Sequence, residues 1–289
     1  MTLPTMVPHG RDEVLAWCRA VDEGPWSSLA VPERITYRSH ALVPQLAAAA
    51  ALTERVRLWT TIIVLPAHSA TQVAKDMASI DVLSNGRLTV GIGVGGREHD
   101  YRAVDAPFTN RWQRMDDQVV QMRRVWAGEP LFEGADPVGP PPVQPGGPPL
   151  VAGVLGPKAL ARAAQWAVGV DDASTIFAVD KDALAGSIAR IRDAWSAAGR
   201  QEAPHISASL WYALGDGAAG RLRSYAADYL RIFGDTVSAQ SAALVRCDTG
   251  TALRESVLLA EDAGCDELFL VPTTADVNEL DRTRDALGL

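Results

Sequence analysis

Short apolar runs rich in β-branched residues alternate with helix-forming segments along the whole chain. This order limits the fold more than any other feature, because consecutive parallel strands need crossover helices to join them. The readable strands are Leu3 to Pro8, Ser27 to Val31, Val56 to Leu65, Leu88 to Val94, Leu150 to Val154, Ala167 to Val170, His205 to Leu214 and Glu267 to Val271. Helical faces run from Arg11 to Val21, Ser39 to Leu52, Thr71 to Leu83, Arg111 to Trp126 and from Pro157 through Trp166. Others follow from Asp180 to Ala198, Gly220 to Phe233, Thr249 to Ala263 and Asp276 to Leu287. Most of the strands are continuously apolar, as expected where both faces of a sheet are covered. Eight β–α units in 289 residues predict a TIM (β/α)8 barrel with modest insertions, a single α/β domain over residues 1–289. The proline-rich stretch from Pro137 to Pro149 suits neither helix nor central strand. It reads as a stiff surface connection within the domain, since the alternation resumes directly after it.

Composition removes several function classes. A net charge of -8 argues against general affinity for nucleic acid or an anionic membrane. The cysteines Cys18, Cys247 and Cys265 are far apart and form no C-x-x-C pair, so they read as reduced thiols of a cytoplasmic protein. The first residues lack a basic start followed by an apolar run, and no stretch is long and apolar enough for a membrane span. The histidines show no metal-binding spacing, and no metal is expected.

Gly91, Gly93 and Gly96 match G-x-G-x-x-G, the pattern of a dinucleotide-binding turn. The match is in the wrong place. It follows the fourth readable strand, and Arg97 to Ala106 reads as charged and irregular rather than as the opening of a helix. Asp116 and Asp117 have nearly the spacing of a ribose-binding acid, but they fall inside a helix. Two roles remain for the glycines. Gly91 and Gly93, within the strand, make room for bulky neighbours inside a barrel. Gly95 and Gly96, past its end, let a flat ring lie against the C-terminal mouth, where barrel sites are built.

The segment from Asp81 to Gly95 (DVLSNGRLTVGIGVG) resembles the hallmark of the bacterial luciferase-like flavin- or F420-dependent oxidoreductases. Further stretches agree in family order: Thr53 to Leu58, Pro148 to Gly153 leading into Gly156 to Leu160, Ala194 to Arg200, and Ala263 to Leu268. The resemblance implies a TIM-barrel-like fold, often dimeric, with FMN or the deazaflavin F420 at the C-terminal ends of the strands. It places a non-proline cis peptide at Thr61–Ile62 behind the coenzyme ring. It also supports a phosphate site at Gly153, Val154, Leu155, Gly156 and Pro157, where free backbone N–H groups open a helix.

The chain departs from the family pattern at three places. Gly96 stands where many F420 users carry Glu, Glu98 being the next acid. Glu33-Arg34 stands where many members carry an acid followed by His, and Ala167-Val168-Gly169 replaces Ala-Asp-Gly. The candidates for handling a proton or orienting substrate are Glu33, His68 and His99, with Arg97 and Asp171 as further polar groups at strand ends. The expected activity is hydride transfer between F420 and a small organic substrate. F420 is favoured because the alanine- and arginine-rich composition resembles that of high-GC actinobacterial proteins. The alternatives are an FMN-dependent monooxygenase and, in other classes, a coenzyme-free binding barrel or a non-redox barrel hydrolase.

Overall fold

A computed structural model describes residues 1–4, 6–154 and 156–289. Seven parallel strands form one sheet in sequence order: β1 (Ser28–Val31), β2 (Arg57–Val64), β3 (Leu88–Gly93), β4 (Leu150–Gly153), β5 (Gly169–Asp172), β6 (His205–Tyr212) and β7 (Glu267–Pro272). A doubly wound sheet reverses its strand order partway across; this one does not, so the dinucleotide reading of the glycines falls with it.

The gap between β7 and β1 is closed by the first residues of the chain. Thr2 N donates to Leu270 O (3.1 Å), Leu3 N donates to Ala30 O (2.8 Å), and Ala30 N donates to Met1 O (2.9 Å). Among the described residues, which leave out Thr5, the eighth stave is a single bridge at Thr2, not the strand expected from Leu3 to Pro8. Prolines explain the correction. Pro4 has no N–H to give a ladder, and its carbonyl accepts instead from Val7 N in a turn (3.2 Å).

The barrel interior is filled from β1, β2, β4 and β7 by Ala30, Trp59, Val151 and Phe269. Trp59 meets Phe269 edge-on, with centroids 5.2 Å apart. Higher in the barrel the glycines of β3 and β4 leave room for β2. A Cβ on Gly91 would fall 2.2 Å from Thr60 O, and one on Gly93 would fall 2.2 Å from Ile62 Cδ1. Outside the sheet, alanines such as Ala49, Ala74 and Ala78 bring the Leu42–Leu52 and Ala70–Leu83 helices close to the strands. A second, separate apolar core lies over the β6–β7 connection. There Trp211, Leu222, Tyr225 and Val271 pack together, and Tyr37, Ile176 and Tyr229 close over them.

The hallmark segment builds this frame from Asp81 to Arg87, and only its last residues, Val94 and Gly95, reach the cleft described below. Buried Asp81 accepts from Val143 N (2.8 Å) and Gln144 N (3.0 Å), pinning the proline-rich connection to the Ala70–Leu83 helix. Asn85 and Gly86 turn the chain with φ of 55° and 78°. Arg87 then donates to Val56 O (2.6 Å), Thr53 O (2.6 Å) and Ser84 O (2.8 Å), tying a helix end to the start of β2. Arg87→Met is expected to cost about 2–4 kcal/mol in urea denaturation, because several carbonyls lose a charged donor at once.

Sequence and structure also differ after β3. Arg97 to Ala106, expected to be irregular, contains a short helix, Glu98–Ala103. It buries Asp100 and Tyr101, and the Tyr101 hydroxyl donates to Val94 O.

Candidate active site

The C-terminal ends of β2 to β6 surround a cavity of about 370 Å³. One wall is Thr61 and Ile62, joined by a cis peptide bond where the register between β2 and β3 shifts. The chain leaving β3 supplies Val94, Gly95 and Gly96. Gly95 has φ of 60°, and a Cβ there would lie 3.0 Å from Val64 Cγ1, so both conformation and space favour glycine. At Gly96 the space is open; the nearest atom to an added Cβ is Phe233 Cζ at 4.0 Å. Gly153 and Val154 at the end of β4 line the cavity, and Ile176 adds a further apolar surface.

The titratable groups at this mouth are Asp171 and Asp172, at the end of β5. They differ in what satisfies them. Buried Asp172 accepts from Ser174 N (2.7 Å) and from the Ser187 hydroxyl. Half-buried Asp171 has the Ser207 hydroxyl as donor, at 3.1 Å. Loss of water around Asp171 raises its pKa to about 6 against the lowering effect of Ser207, and the charge of Asp172 raises it further.

Trp112, from the Arg111–Trp126 helix, borders this cavity and a second one of about 420 Å³. That second cavity is lined by Gly156, Pro157, Lys158 and Arg162. Arg162 is paired with Asp116, whereas Lys158 is exposed. Leu155 lies outside the described residues.

The three residues singled out for proton handling lie elsewhere. His68 Nε2 is 3.0 and 3.1 Å from the two oxygens of Glu33, and Glu33 also accepts from Val64 N (2.7 Å). The pair borders a separate cavity of about 150 Å³ with Asp76. Burial alone would lower the His68 pKa, but the hydrogen bond and charge of Glu33, with Asp76, raise it overall. His99 is exposed and borders an open depression beside Thr36 and Arg102. Glu98, the next acid after Gly96, is exposed on the short helix. Among the described residues, no group of three or more His, Cys, Asp or Glu is placed to hold a metal ion, and no helix is long and apolar enough to cross a membrane.

Sequence reasoning missed Trp112, Ile176 and Ser209 as cleft residues. Ser209 alone had a readable signal. It alternates with Leu210 along β6, and with Ser207 marks the side of the strand that faces the acids.

The sequence profile of the luciferase-like monooxygenase family matches residues 3–277. An uncharacterized protein of Mycobacterium tuberculosis is 31% identical over 170 residues, 56% of this chain and 58% of its own length. The F420-dependent glucose-6-phosphate dehydrogenase of Beutenbergia cavernae is 29% identical over 128 residues, 40% of this chain and 38% of its own. The oxygenase component of the flavin-dependent trigonelline monooxygenase of Acinetobacter baylyi is 27% identical over 125 residues, 41% of this chain and 34% of its own. The chain thus spans little more than half the length of the first of these relatives, and less of the others. An F420-dependent secondary alcohol dehydrogenase, solved with an F420–acetone adduct, shares the fold with a TM-score of 0.78 at 19% identity, over 94% of each chain. The extent of the profile match and the barrel itself agree: the chain belongs to the luciferase-like monooxygenase family, whose relatives here include both F420- and flavin-dependent enzymes.

Proposed function

We propose that the protein is an F420-dependent oxidoreductase that moves a hydride between the coenzyme and a small organic substrate, in one barrel domain over residues 1–289. The observation that carries this reading is the cleft at the barrel mouth, with apolar walls and a single weakly satisfied carboxyl group, Asp171. Its volume of about 370 Å³ falls within the usual range of small-molecule pockets, roughly 300–1,000 Å³. Gly96 and Gly153 present backbone without side chains to it, which suits a flat ring. The adjoining cavity beyond Trp112 offers Lys158 and the turn at Gly156 for a phosphate. The mycobacterial relatives, the F420-dependent relative and the alanine- and arginine-rich composition support F420 over FMN.

F420, when bound, supplies or accepts the hydride. The chain's part is to exclude water, orient the reactants and manage the proton. Ile62, Val94, Val154 and Ile176 make the dry walls. Asp171, with a pKa near 6, can release or take up a proton close to neutral pH, and the Ser207 hydroxyl fixes the direction of its carboxyl group. Glu33 and His68 are positioning residues in this reading, because Glu33 holds Val64 N and the Val64 side chain packs beneath Gly95. Dimerisation belongs to the same proposal, with light scattering as its readout.

Titration of the purified protein with F420 and with FMN, followed by fluorescence, tests the reading. Saturable binding of F420 in preference to FMN is the expected result. Preference for FMN would turn the assignment to a monooxygenase. Binding of neither, with an intact circular dichroism spectrum, would leave a binding barrel or a non-redox hydrolase.

A further inference from the structure

We propose that Arg34 and Arg97 form an anion-binding site beside the cleft that holds the oxyanion of an acidic substrate, a carboxylate or its sulfonate or phosphate equivalent. This rests on the oxidoreductase reading and adds a substrate class to it. Arg34 is only 6% exposed, yet neither it nor Arg97 takes part in any ion pair among the described residues. Both guanidinium groups lie against the Tyr229 ring, Arg34 at 4.8 Å and Arg97 at 4.6 Å from its centroid. Arg34 also covers Tyr37 (4.1 Å), and Arg97 lies by Phe233 (5.3 Å). The hydrogen bond Arg34 makes is a long one to Tyr229 O, at 3.3 Å. The Nε of each arginine is buried without a partner.

A buried cation and a half-buried one around one ring repel each other, and leaving them unpaired is unfavourable unless an anion completes the set. Burial and the charge of Arg97 both lower the pKa of Arg34, as this crowding requires. The acids within reach are already engaged. Asp228 accepts from the Tyr37 hydroxyl (2.6 Å) and Arg38 (2.7 Å), and Asp100 accepts from Thr36 N (2.8 Å) and the Thr36 hydroxyl. The attraction of Asp100 only partly offsets burial and the charge of Arg97 at Arg34.

The pair adjoins the cleft through Gly96 and Phe233. Arg97 follows Gly96 directly, and Phe233, beside Arg97, is the nearest atom to the open space above Gly96. Ile176, a cleft wall, packs on the same aromatic core as Tyr229. An anion on the two arginines therefore leaves its organic body pointing over Gly96, while Lys158 serves the separate cavity beyond Trp112. Guanidinium groups match planar oxyanions with paired N–H donors, and the surrounding aromatic faces suit an unsaturated body.

Calorimetric titration of the whole chain with benzoate and with neutral benzamide tests this. Wild type is expected to bind benzoate at least about tenfold more tightly. Arg97→Gln should remove that preference and Arg97→Lys should keep part of it. Arg34→Gln should also remove it, and Arg97, being half-buried, keeps the test usable if the Arg34 variant does not fold. No preference in wild type, or a preference unchanged in Arg97→Gln, would overturn the site. The coenzyme phosphate is the competing source of the anion. FMN is expected to bind more tightly than riboflavin to the same degree in wild type and Arg97→Gln, with that advantage lost in Lys158→Gln. Loss of it in Arg97→Gln would assign the arginines to the coenzyme and overturn the substrate assignment. Wild type that prefers benzoate but binds no coenzyme would sink the oxidoreductase reading alone, with the anion site intact.

Discussion

Asp171→Asn is expected to stabilise the protein at pH 8 while lowering its turnover by about 100-fold or more. The stability effect follows from linkage. Asp171 has a pKa near 6 in the folded chain, above the ordinary aspartate value of 3.8. The folded state therefore holds its proton more tightly than the unfolded chain. The protonated form favours folding, that contribution is complete below pH 3.8, and it is lost as pH rises through about 6. Above pH 6 the wild type carries a poorly solvated carboxylate that asparagine removes, a gain of about 1–3 kcal/mol. Asparagine can still accept from Ser207, so the local geometry is retained. Urea denaturation at pH 8 and pH 4 checks the sign: the variant should be the more stable at pH 8 and level with wild type at pH 4. In activity, the limb of the wild-type pH–rate profile near 6 should vanish. A variant with unchanged turnover and an unchanged limb would remove Asp171 from the chemistry.

Gly91→Ala should abolish stable folding, whereas Gly96→Ala should leave stability within about 0.5 kcal/mol of wild type. The two glycines lie in one motif but meet different surroundings. An alanine methyl at Gly91 would sit 2.2 Å from the Thr60 carbonyl oxygen, a backbone atom of the neighbouring strand. That strand is also held by the Thr60 hydroxyl, which donates to Gly91 O at 2.7 Å. Relief requires moving β2 away from β3, and overpacking of this kind costs about 3 kcal/mol or more where backbone must shift. The methyl at Gly96 meets nothing closer than Phe233 at 4.0 Å, so its effect should be on ligand binding. Thermal unfolding of both variants, with coenzyme titration of the second, separates the two roles. Equal loss of stability in both would show the motif to be structural throughout.

The barrel was legible because its signal is repeated: seven apolar runs became strands in the order they appear in the chain. The eighth failed where Pro4 interrupts the ladder that Leu3 begins. The Glu98–Ala103 helix was hidden because its buried face includes Asp100, whose carboxylate is satisfied by Thr36, and such partners leave no mark on local periodicity. The Asp235–Ala242 helix, small and polar, has one buried residue, Ser238, and offers no apolar stripe to read. Pairing across the fold was equally invisible. Glu33 and His68 sit at strand ends, where proton-handling groups belong, but they turn toward each other. Asp171 and Asp172 are adjacent and chemically alike in sequence, and only their different donors separate a satisfied acid from an available one.

The second core over the β6–β7 connection gives the barrel rim a packing unit of its own. Trp211 and Val271 anchor that core at the barrel rim, while Tyr225, Tyr229 and Leu222 complete it from the Ala218–Leu230 helix. Because this helix packs in a core of its own, substitutions in it should leave the staves that shape the cleft in place. The rim carrying Tyr229 can then vary while Gly95, Gly153 and the Thr61–Ile62 bond keep their places.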